Sequence, residues 1–195
     1  MAILSTADLG AAIADDFTKA AALANVHIPR SDIEVAFLPS PHRPPSSLPT
    51  GKLAVYVFMF GTTCLKVGKA GPNSVARYCT QHYGFNAPST VAKSLLKRQG
   101  ELGVSGITEQ SAKDWICRYT ARLDFLVPAR YGVFALSLLE AFVQCRLSPM
   151  FEGFASQRLP SIPTPHTEAR DIAASVGALG VRAVGRERNV SKSNK

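Results

Sequence analysis

The sequence predicts an α/β (α+β) fold: a small, mainly antiparallel three-stranded sheet flanked by helices, with a helical N-terminal extension. Two apolar segments, 52–60 and 64–67, are separated by a short glycine-containing turn and predict a β-hairpin. A third segment, 122–128, reads as another strand. Elsewhere, apolar residues recur at spacings of three and four, which is typical of helices that pack one face against a core.

The chain before the hairpin is predicted to form a helix, a short strand and a linker. Residues 5–26 follow a helical period, with Ser5 or Thr6 as N-cap, and we expect this helix to pack on the main domain. Residues 32–38 read as a short strand. The segment 38–50 holds five prolines in thirteen residues, which excludes a helix or a central strand. We therefore expect an extended linker and a domain boundary near residue 50.

After the hairpin, the sequence predicts four helical segments. One begins near residues 72–74 and carries Arg77. The second is capped by Ser89 or Thr90 and directs its apolar residues inward and its cations outward. The first of the four segments begins near residue 72, and the other three cover residues 89–102, 109–119 and 131–147. The outward cations of the second are Lys93, Lys97 and Arg98.

These elements predict three segments with different roles. Residues 1–50 carry the N-terminal helix, the short strand and the Pro-rich linker. The main domain follows at 51–155, and within it 84–121 reads as a helical elaboration able to contact substrate. We expect residues 156–195 to be a basic C-terminal extension, with a short helix near 168–178 and a partly disordered end.

Composition excludes several classes of protein. No apolar run reaches the roughly 18 to 20 residues of a membrane span, and the N-terminus lacks the basic region of a signal peptide. We expect a soluble cytoplasmic protein with no membrane partner. Its four cysteines form no C-x-x-C pair, which argues against zinc and favours reduced thiols. The stretch GTTCLKVGKA departs from a phosphate-binding P-loop in its glycine spacing and lacks the hydroxyl after the lysine.

The positive charge of the chain is concentrated in two regions. The net charge is +8. Residues 66–130 hold ten Lys and Arg against four Asp and Glu, a local excess of six, and 181–195 hold five against one, an excess of four. A basic excess of this kind suits a polyanion, because the cations release counterions condensed on phosphates. It does not by itself separate a nucleic-acid-binding protein from a basic protein without such a partner.

Several polar residues stand in apolar surroundings. Tyr56 and Lys66 lie within the two hairpin strands, and Gly68 and Lys69 follow at once. Glu140 lies within an apolar helix, where a carboxylate either reaches solvent or needs a cation or metal ion to compensate its charge.

Taken in order, these residues resemble the signature of the GIY-YIG nuclease superfamily. Ala54-Val55-Tyr56 matches its first motif, and Lys66-Val67-Gly68 its second. Arg77 matches the arginine of the helix that follows, and Glu140 matches the metal-binding glutamate. The resemblance covers about residues 52–153 and implies a fold of the GIY-YIG type.

The resemblance also implies a chemistry, metal-dependent hydrolysis of phosphodiester bonds in DNA. Tyr56 would be the general base, with Lys66 beside it favouring the phenolate. Arg77 would hold a phosphate, and Glu140 would bind one divalent ion, Mg²⁺ or alternatively Mn²⁺. His82 is a further catalytic candidate, as a proton carrier or phosphate contact. The expected substrate-binding residues are Gly68, Lys69, Lys93, Lys97 and Arg98.

Departures from the family pattern keep other functions open. Ala-Val replaces Gly-Ile in the first motif, Lys66 replaces a tyrosine in the second, and Glu152 stands where the family commonly has asparagine. The main alternative is a non-catalytic nucleic-acid-binding module on a nuclease scaffold. A third is a protein-interaction module that uses the N-terminal helix. A nuclease domain this short often works as a homodimer or with a protein partner.

Overall fold

A computed structural model describes residues 5–151 of the chain. The helix predicted near 168–178, the basic C-terminal extension and Glu152 lie outside this range. The described helices and strands follow the sequence-based segments closely. The helices are α1 (Thr6–Leu23), α2 (Val75–Cys79), α3 (Val91–Arg98), α4 (Glu109–Tyr119) and α5 (Gly132–Leu147). The strands are β1 (Glu34–Leu38), β2 (Lys52–Phe60), β3 (Thr63–Ala70) and β4 (Ala121–Pro128).

Local side-chain chemistry explains where the helices begin. The Ser5 hydroxyl accepts a hydrogen bond from the Asp8 amide, as predicted for the cap of α1. Of the two candidates at α3, Thr90 is the cap, and its hydroxyl accepts from the Lys93 amide. None of the helices among residues 5–151 is long and apolar enough to span a membrane.

The sheet has four antiparallel strands rather than the predicted three. Its order is β1-β4-β2-β3. The extra strand is β1, which was expected to lie in the extension and instead pairs with β4 from Glu34 opposite Leu126 to Leu38 opposite Arg122. This pairing gives β4 hydrogen-bonding partners on both sides, and α1 packs over β1 and β4. The sheet and its core therefore include elements from before residue 50, while the functional division of the chain at residues 50 and 155 stays a prediction.

The central strand β2 is buried on both faces, as its continuous apolar sequence predicts. Alternate residues point to opposite sides. One side, the hydrocarbon face, is lined by Val55, Val57, Leu123 and Phe125 and is covered by α1 and α5. The other, the tyrosine face, is lined by Tyr56, Phe58, Arg122 and Asp124 and is covered by the segment from α2 to α4.

Elements that cover the two faces of the sheet meet at the edge strand β3. Helix α5 packs on β3 from the hydrocarbon face, and α2 follows β3 directly. The chain after α5 also returns to this strand, where the Met150 and Phe151 amides donate to the Cys64 and Leu65 carbonyls. Residues from α2, β3 and α5 can therefore meet at this edge.

Candidate active site

Tyr56 is completely buried, and its ring lies across the edge strand. Tyr56 pairs with Gly68 in the register of β2 and β3. A Cβ atom added at Gly68 would lie 2.6 Å from the Tyr56 hydroxyl oxygen and 2.8 Å from two ring carbons. Since real Cβ atoms do not approach other atoms this closely, the glycine is required by the tyrosine ring. Gly68 therefore makes room for a protein side chain, in addition to the substrate approach predicted for it.

The Tyr56 hydroxyl joins two residues that follow the hairpin. Its oxygen lies 2.5 Å from His82 Nε2, and Arg77 Nε donates to it at 3.1 Å. Arg77 can only donate, so the hydroxyl keeps its own proton to offer, and it donates that proton to His82 Nε2 in the assignment in which Nε2 is the unprotonated ring nitrogen. This assignment places the imidazole proton of His82 on Nδ1, a buried atom that has no hydrogen-bond partner among the described residues.

His82 reaches Tyr56 because α2 is short. A continuous helix would place residue 82 about 140° around the axis from Arg77. Helix α2 instead ends at Cys79, and a single 3₁₀ turn over Gln81–Tyr83 carries His82 back over the tyrosine face. The sequence offered His82 as a candidate, and the end of this helix explains how it meets Tyr56.

Burial keeps both groups of this pair uncharged near neutral pH. It raises the pKa of Tyr56 above its ordinary value, although the Arg77 charge acts in the opposite direction. Burial, assisted by the charges of Lys66, Arg77 and Arg122, lowers the pKa of His82 to about 3. A neutral phenol is thus hydrogen-bonded to a neutral imidazole.

Lys66 was expected to favour the phenolate of Tyr56 and so to lower its pKa, but the pKa is raised. Lys66 is buried on the tyrosine face, and its ammonium donates to the Ser89 hydroxyl at 3.0 Å. The Tyr56 pKa is raised rather than lowered, and the charge that opposes the rise is chiefly that of Arg77. The sequence places Lys66 beside Tyr56, but it could not show that burial outweighs a neighbouring cation.

A cleft of about 270 Å³ opens at the edge of β3, between α2 and α5. It is lined by Lys69, Gly71, Ser74, Arg77, Val133 and Leu136. Two of these, Lys69 and Arg77, are cationic. Glu140 adjoins them, because its Oε2 lies 2.7 Å from Lys69 Nζ, and its charge is close enough to act on the Tyr56 pKa. The structure thus brings together Tyr56, Arg77, His82, Lys69 and Glu140.

Glu140 is compensated by a lysine in this structure. Its side chain is 17% exposed, and Lys69 also donates to the Ser137 hydroxyl at 3.0 Å, one turn earlier on α5. Among residues 5–151, no group of three or more His, Cys, Asp and Glu side chains is placed to hold a metal ion. One accessible carboxylate fits a magnesium ion that is shared with a substrate phosphate, but not a site built from protein ligands alone.

The cations predicted on α3 lie apart from the lining of the cleft. Lys93 and Lys97 are exposed. Arg98 is engaged within the protein, because it pairs with both oxygens of Glu101, donates to the Met150 carbonyl and lies over the Phe151 ring. These contacts assign Arg98 a structural role in this state.

Sequence reasoning missed a buried polar network beneath Tyr56. Arg122 is 0% exposed and Asp124 is 1% exposed, and their Nε and Oδ1 atoms lie 2.7 Å apart. The Arg122 guanidinium lies 5.1 Å from the Tyr56 ring centroid, and Asp124 accepts from the Tyr78 hydroxyl at 2.7 Å. His42, from the Pro-rich segment, joins through Tyr83. The signal was the pattern RLDFLVP, in which two charges alternate with apolar residues in a strand.

Comparison of the chain with models of known protein families, with curated proteins and with solved structures finds no match. Its function is therefore argued from its own residues, above all from Tyr56, Arg77, His82 and Glu140.

Proposed function

We propose that the protein is a metal-dependent endonuclease of the GIY-YIG type that hydrolyses phosphodiester bonds in DNA. The observation that carries the proposal is the buried Tyr56 hydroxyl, which is hydrogen-bonded to His82 and to Arg77, and Arg77 lines a cationic cleft. Arg77 links that hydroxyl to a cleft lined by two cations, and one of these, Lys69, is paired with the Glu140 carboxylate. The same groups can bind a phosphate, bind a metal ion and accept a proton from water.

Arg77 and Lys69 are the phosphate-binding residues in this proposal. Both line the cleft, and Arg77 is exposed. A planar guanidinium suits two oxygens of one phosphate, whereas an ammonium acts as a compact charge. A phosphate bound here brings negative charge towards Tyr56 and His82, and it opposes the part of the lowering of the His82 pKa that the cations add to the larger effect of burial.

Tyr56 and His82 carry the proton in this proposal. With Nε2 as its unprotonated nitrogen, His82 would accept the proton of the Tyr56 hydroxyl, 2.5 Å away, while the phenolate oxygen takes a proton from the attacking water. The charge on the resulting imidazolium is compensated by the bound phosphate. The oxygen of the water then forms the new bond to phosphorus, and the bond to the leaving oxygen breaks.

Glu140 is the residue that would hold the metal ion. When bound, Mg²⁺ or Mn²⁺ supplies charge neutralisation at the phosphate and at the leaving oxygen. Lys69 must release Glu140 for this to happen, and a phosphate in the cleft offers the ammonium an alternative partner. Metal and substrate are therefore expected to bind together.

The test is cleavage of supercoiled plasmid DNA with Mg²⁺ or Mn²⁺, comparing wild type with Glu140→Ala and Glu109→Ala. Glu109 is an exposed glutamate in the first turn of α4 and is a matched control. We expect nicking or linearisation by wild type and Glu109→Ala, and loss of both products with Glu140→Ala. Equal cleavage by wild type and Glu140→Ala would contradict the assignment.

A second candidate is a non-catalytic nucleic-acid-binding module with the same cleft. Two observations favour it: the raised pKa of Tyr56 and the pairing of Glu140 with Lys69. This function predicts salt-sensitive DNA binding without hydrolysis, unchanged by Tyr56→Phe or Glu140→Ala. Binding without cleavage by wild type, across metal ions, would favour it over the nuclease.

A further inference from the structure

The buried ion pair on β4 lies on the same face of the sheet as Tyr56 but takes no part in the proposed chemistry. Arg122 and Asp124 are both buried on the tyrosine face. A buried ion pair is weak evidence for stability, because apolar residues of similar size can often replace it without loss. The alternate positions of β4, Leu123 and Phe125, fill the hydrocarbon face with apolar side chains. The pair is therefore better explained by what its two side chains contact than by stability.

The Arg122 guanidinium packs among three aromatic rings, one of which is that of Tyr56. Its central carbon lies 5.1 Å from the ring centroid of Tyr56, 5.4 Å from that of Phe58 and 4.6 Å from that of Tyr78. A cation over the face of a ring, within about 6 Å of the centroid, is attracted to its π electrons. Asp124 accepts from Arg122 Nε at 2.7 Å and so orients the plane of the guanidinium. Arg122 therefore limits the positions that the Tyr56 ring can take.

The same two side chains hold the segment that carries His82 on both sides of that residue. Before His82 in the chain, Arg122 Nη1 donates to the Tyr78 carbonyl at 2.9 Å, and the Tyr78 hydroxyl donates to Asp124 at 2.7 Å. After His82, Arg122 Nη1 donates to the Tyr83 hydroxyl at 3.4 Å. The His82 ring itself hydrogen-bonds through Nε2 alone, since its Nδ1 atom has no partner among the described residues. Its position therefore depends on the segment that Arg122 and Asp124 hold.

Resting on the proposed function, we propose that Arg122, oriented by Asp124, is a positioning residue that holds Tyr56 and His82 in hydrogen-bonding contact. Neither member of the ion pair belongs to the described lining of the cleft, so neither is expected to contact DNA. The proposed reaction moves a proton across the 2.5 Å between Tyr56 and His82. A displacement of about 1 Å from the reactive geometry can cost about 10²-fold in rate, even when its cause is remote from the chemistry. Loss of the pair should therefore slow the chemical step and leave substrate binding unchanged.

The test replaces the ion pair with apolar residues, in the double variant Arg122→Met with Asp124→Leu. Urea unfolding first establishes that this variant is folded, and steady-state cleavage of plasmid DNA with Mg²⁺ or Mn²⁺ is then compared with wild type. We expect kcat to fall about 10²-fold at an unchanged KM. The matched control is Arg146→Met with Asp16→Leu, which removes a partly exposed ion pair of 3.0 Å between α5 and α1 and should change neither constant.

A second measurement does not depend on cleavage. Nitrogen NMR of the imidazole rings, assigned with His82→Gln, reports which ring nitrogen of His82 carries the proton. In wild type, without DNA or metal ion, we expect one tautomer, with Nε2 free to accept from Tyr56. In the double variant we expect both tautomers, because the ring is no longer held against the hydroxyl.

The outcomes separate this inference from the proposed function. The positioning role is overturned if the double variant cleaves with the kcat of wild type or keeps the wild-type imidazole spectrum of His82. If wild type cleaves no DNA but the His82 spectrum changes in the double variant, the proposed function fails while the positioning of His82 stands. If the double variant does not fold, Tyr78→Phe takes its place, because it removes only the hydroxyl bound to Asp124. Tyr78→Phe should lower kcat by a smaller factor, and a wild-type kcat in that variant would overturn the role.

Discussion

The two faces of one sheet are buried equally but are built from different chemistry. The hydrocarbon face closes on α1 and α5 with apolar side chains such as Val55 and Phe125. The tyrosine face, made by the alternate residues of the same strands, buries Tyr56, Arg122 and Asp124. Apolar residues alone fill the hydrocarbon face. The buried polar groups of the tyrosine face are therefore not needed to fill space, and we infer that they fix the position of the Tyr56 ring and the charges around it.

The largest expected effect comes from breaking the charge pair on the tyrosine face. Asp124→Leu leaves the fully buried Arg122 without its carboxylate and should reduce the free energy of unfolding by about 3–5 kcal/mol. Adding Arg122→Met in the same chain should recover most of that loss, because apolar residues can replace a buried ion pair. Urea unfolding measures both changes.

The hydrocarbon face supplies the control for that experiment. Leu123 lies between the two charges on β4 but points to the other side of the sheet. Leu123→Met conserves volume and should cost less than about 1.5 kcal/mol. If the double variant is as unstable as Asp124→Leu alone, charge pairing does not explain the polar composition of the tyrosine face.

Gly68→Ala tests the packing of Tyr56 against the edge strand. The new Cβ would meet the buried ring at 2.6–2.8 Å, so either the ring or β3 must move. We expect a loss of about 1–3 kcal/mol in stability, together with slower cleavage. Gly100→Ala is the matched control, since nothing lies within 4 Å of a Cβ at that position. Equal stability of the two variants would contradict the contact between Gly68 and Tyr56.

The buried His82 should make the protein less stable in acid. Its folded pKa of about 3 lies below the ordinary value of 6.5, so the unfolded chain binds a proton first as the pH falls. Its stabilising contribution is therefore complete above about pH 6.5 and declines towards pH 3, by about 2 kcal/mol between pH 6.5 and 5. Urea unfolding at a series of pH values measures this slope.

Two histidine variants isolate that effect. His82→Gln should flatten the acid slope, whereas His27→Gln should leave it unchanged, because His27 is exposed. His42 also has a pKa lowered by burial, so a smaller slope should remain in His82→Gln. A slope equal to that of wild type in His82→Gln would show that His82 is not buried as a neutral group.

The smallest expected effect concerns the competition between Lys69 and a metal ion for Glu140. Lys69→Met removes the ammonium that lies 2.7 Å from the carboxylate. Partly exposed ion pairs contribute about 0.2–1 kcal/mol, so the Mn²⁺ concentration for half-maximal binding in the presence of a saturating, non-hydrolysable oligonucleotide should fall by up to about fivefold. Calorimetric titration measures it, with Lys93→Met as the control. A weaker affinity in Lys69→Met would contradict the competition.

Most of the local structure followed from the sequence, whereas long-range pairing did not. The period of the apolar residues and the cap at Thr90 predict the helices, and continuous apolar runs predict the central strands. The pairing of β1 with β4 joins residues that are far apart in the sequence, such as Val35 and Phe125, which are 90 positions apart. No local pattern specifies such a partner, which is why a three-stranded sheet was expected and the strand predicted at 32–38 was assigned to the N-terminal extension.

For the candidate site, the sequence could name residues but not the ion pairs and pKa shifts that those residues have in the fold. The ordered motif named Tyr56, Arg77 and Glu140, and the structure brings them to one edge of the sheet. The sequence motif could not show that Lys69 pairs with Glu140 or that burial raises the Tyr56 pKa, because both depend on tertiary packing. Arg122 and Asp124 were visible as charges in a strand, but their link to Tyr56 appears only in three dimensions.

The central claim is that the buried Tyr56 hydroxyl takes part in phosphodiester hydrolysis. Its most direct test is the plasmid cleavage rate of Tyr56→Phe, which keeps the ring over Gly68 and removes only the oxygen bonded to His82 and Arg77. Tyr119→Phe is the control, because Tyr119 is 48% exposed on α4. We predict a rate about 10²- to 10⁴-fold lower for Tyr56→Phe, with DNA binding retained. Cleavage by Tyr56→Phe at the wild-type rate would contradict the account.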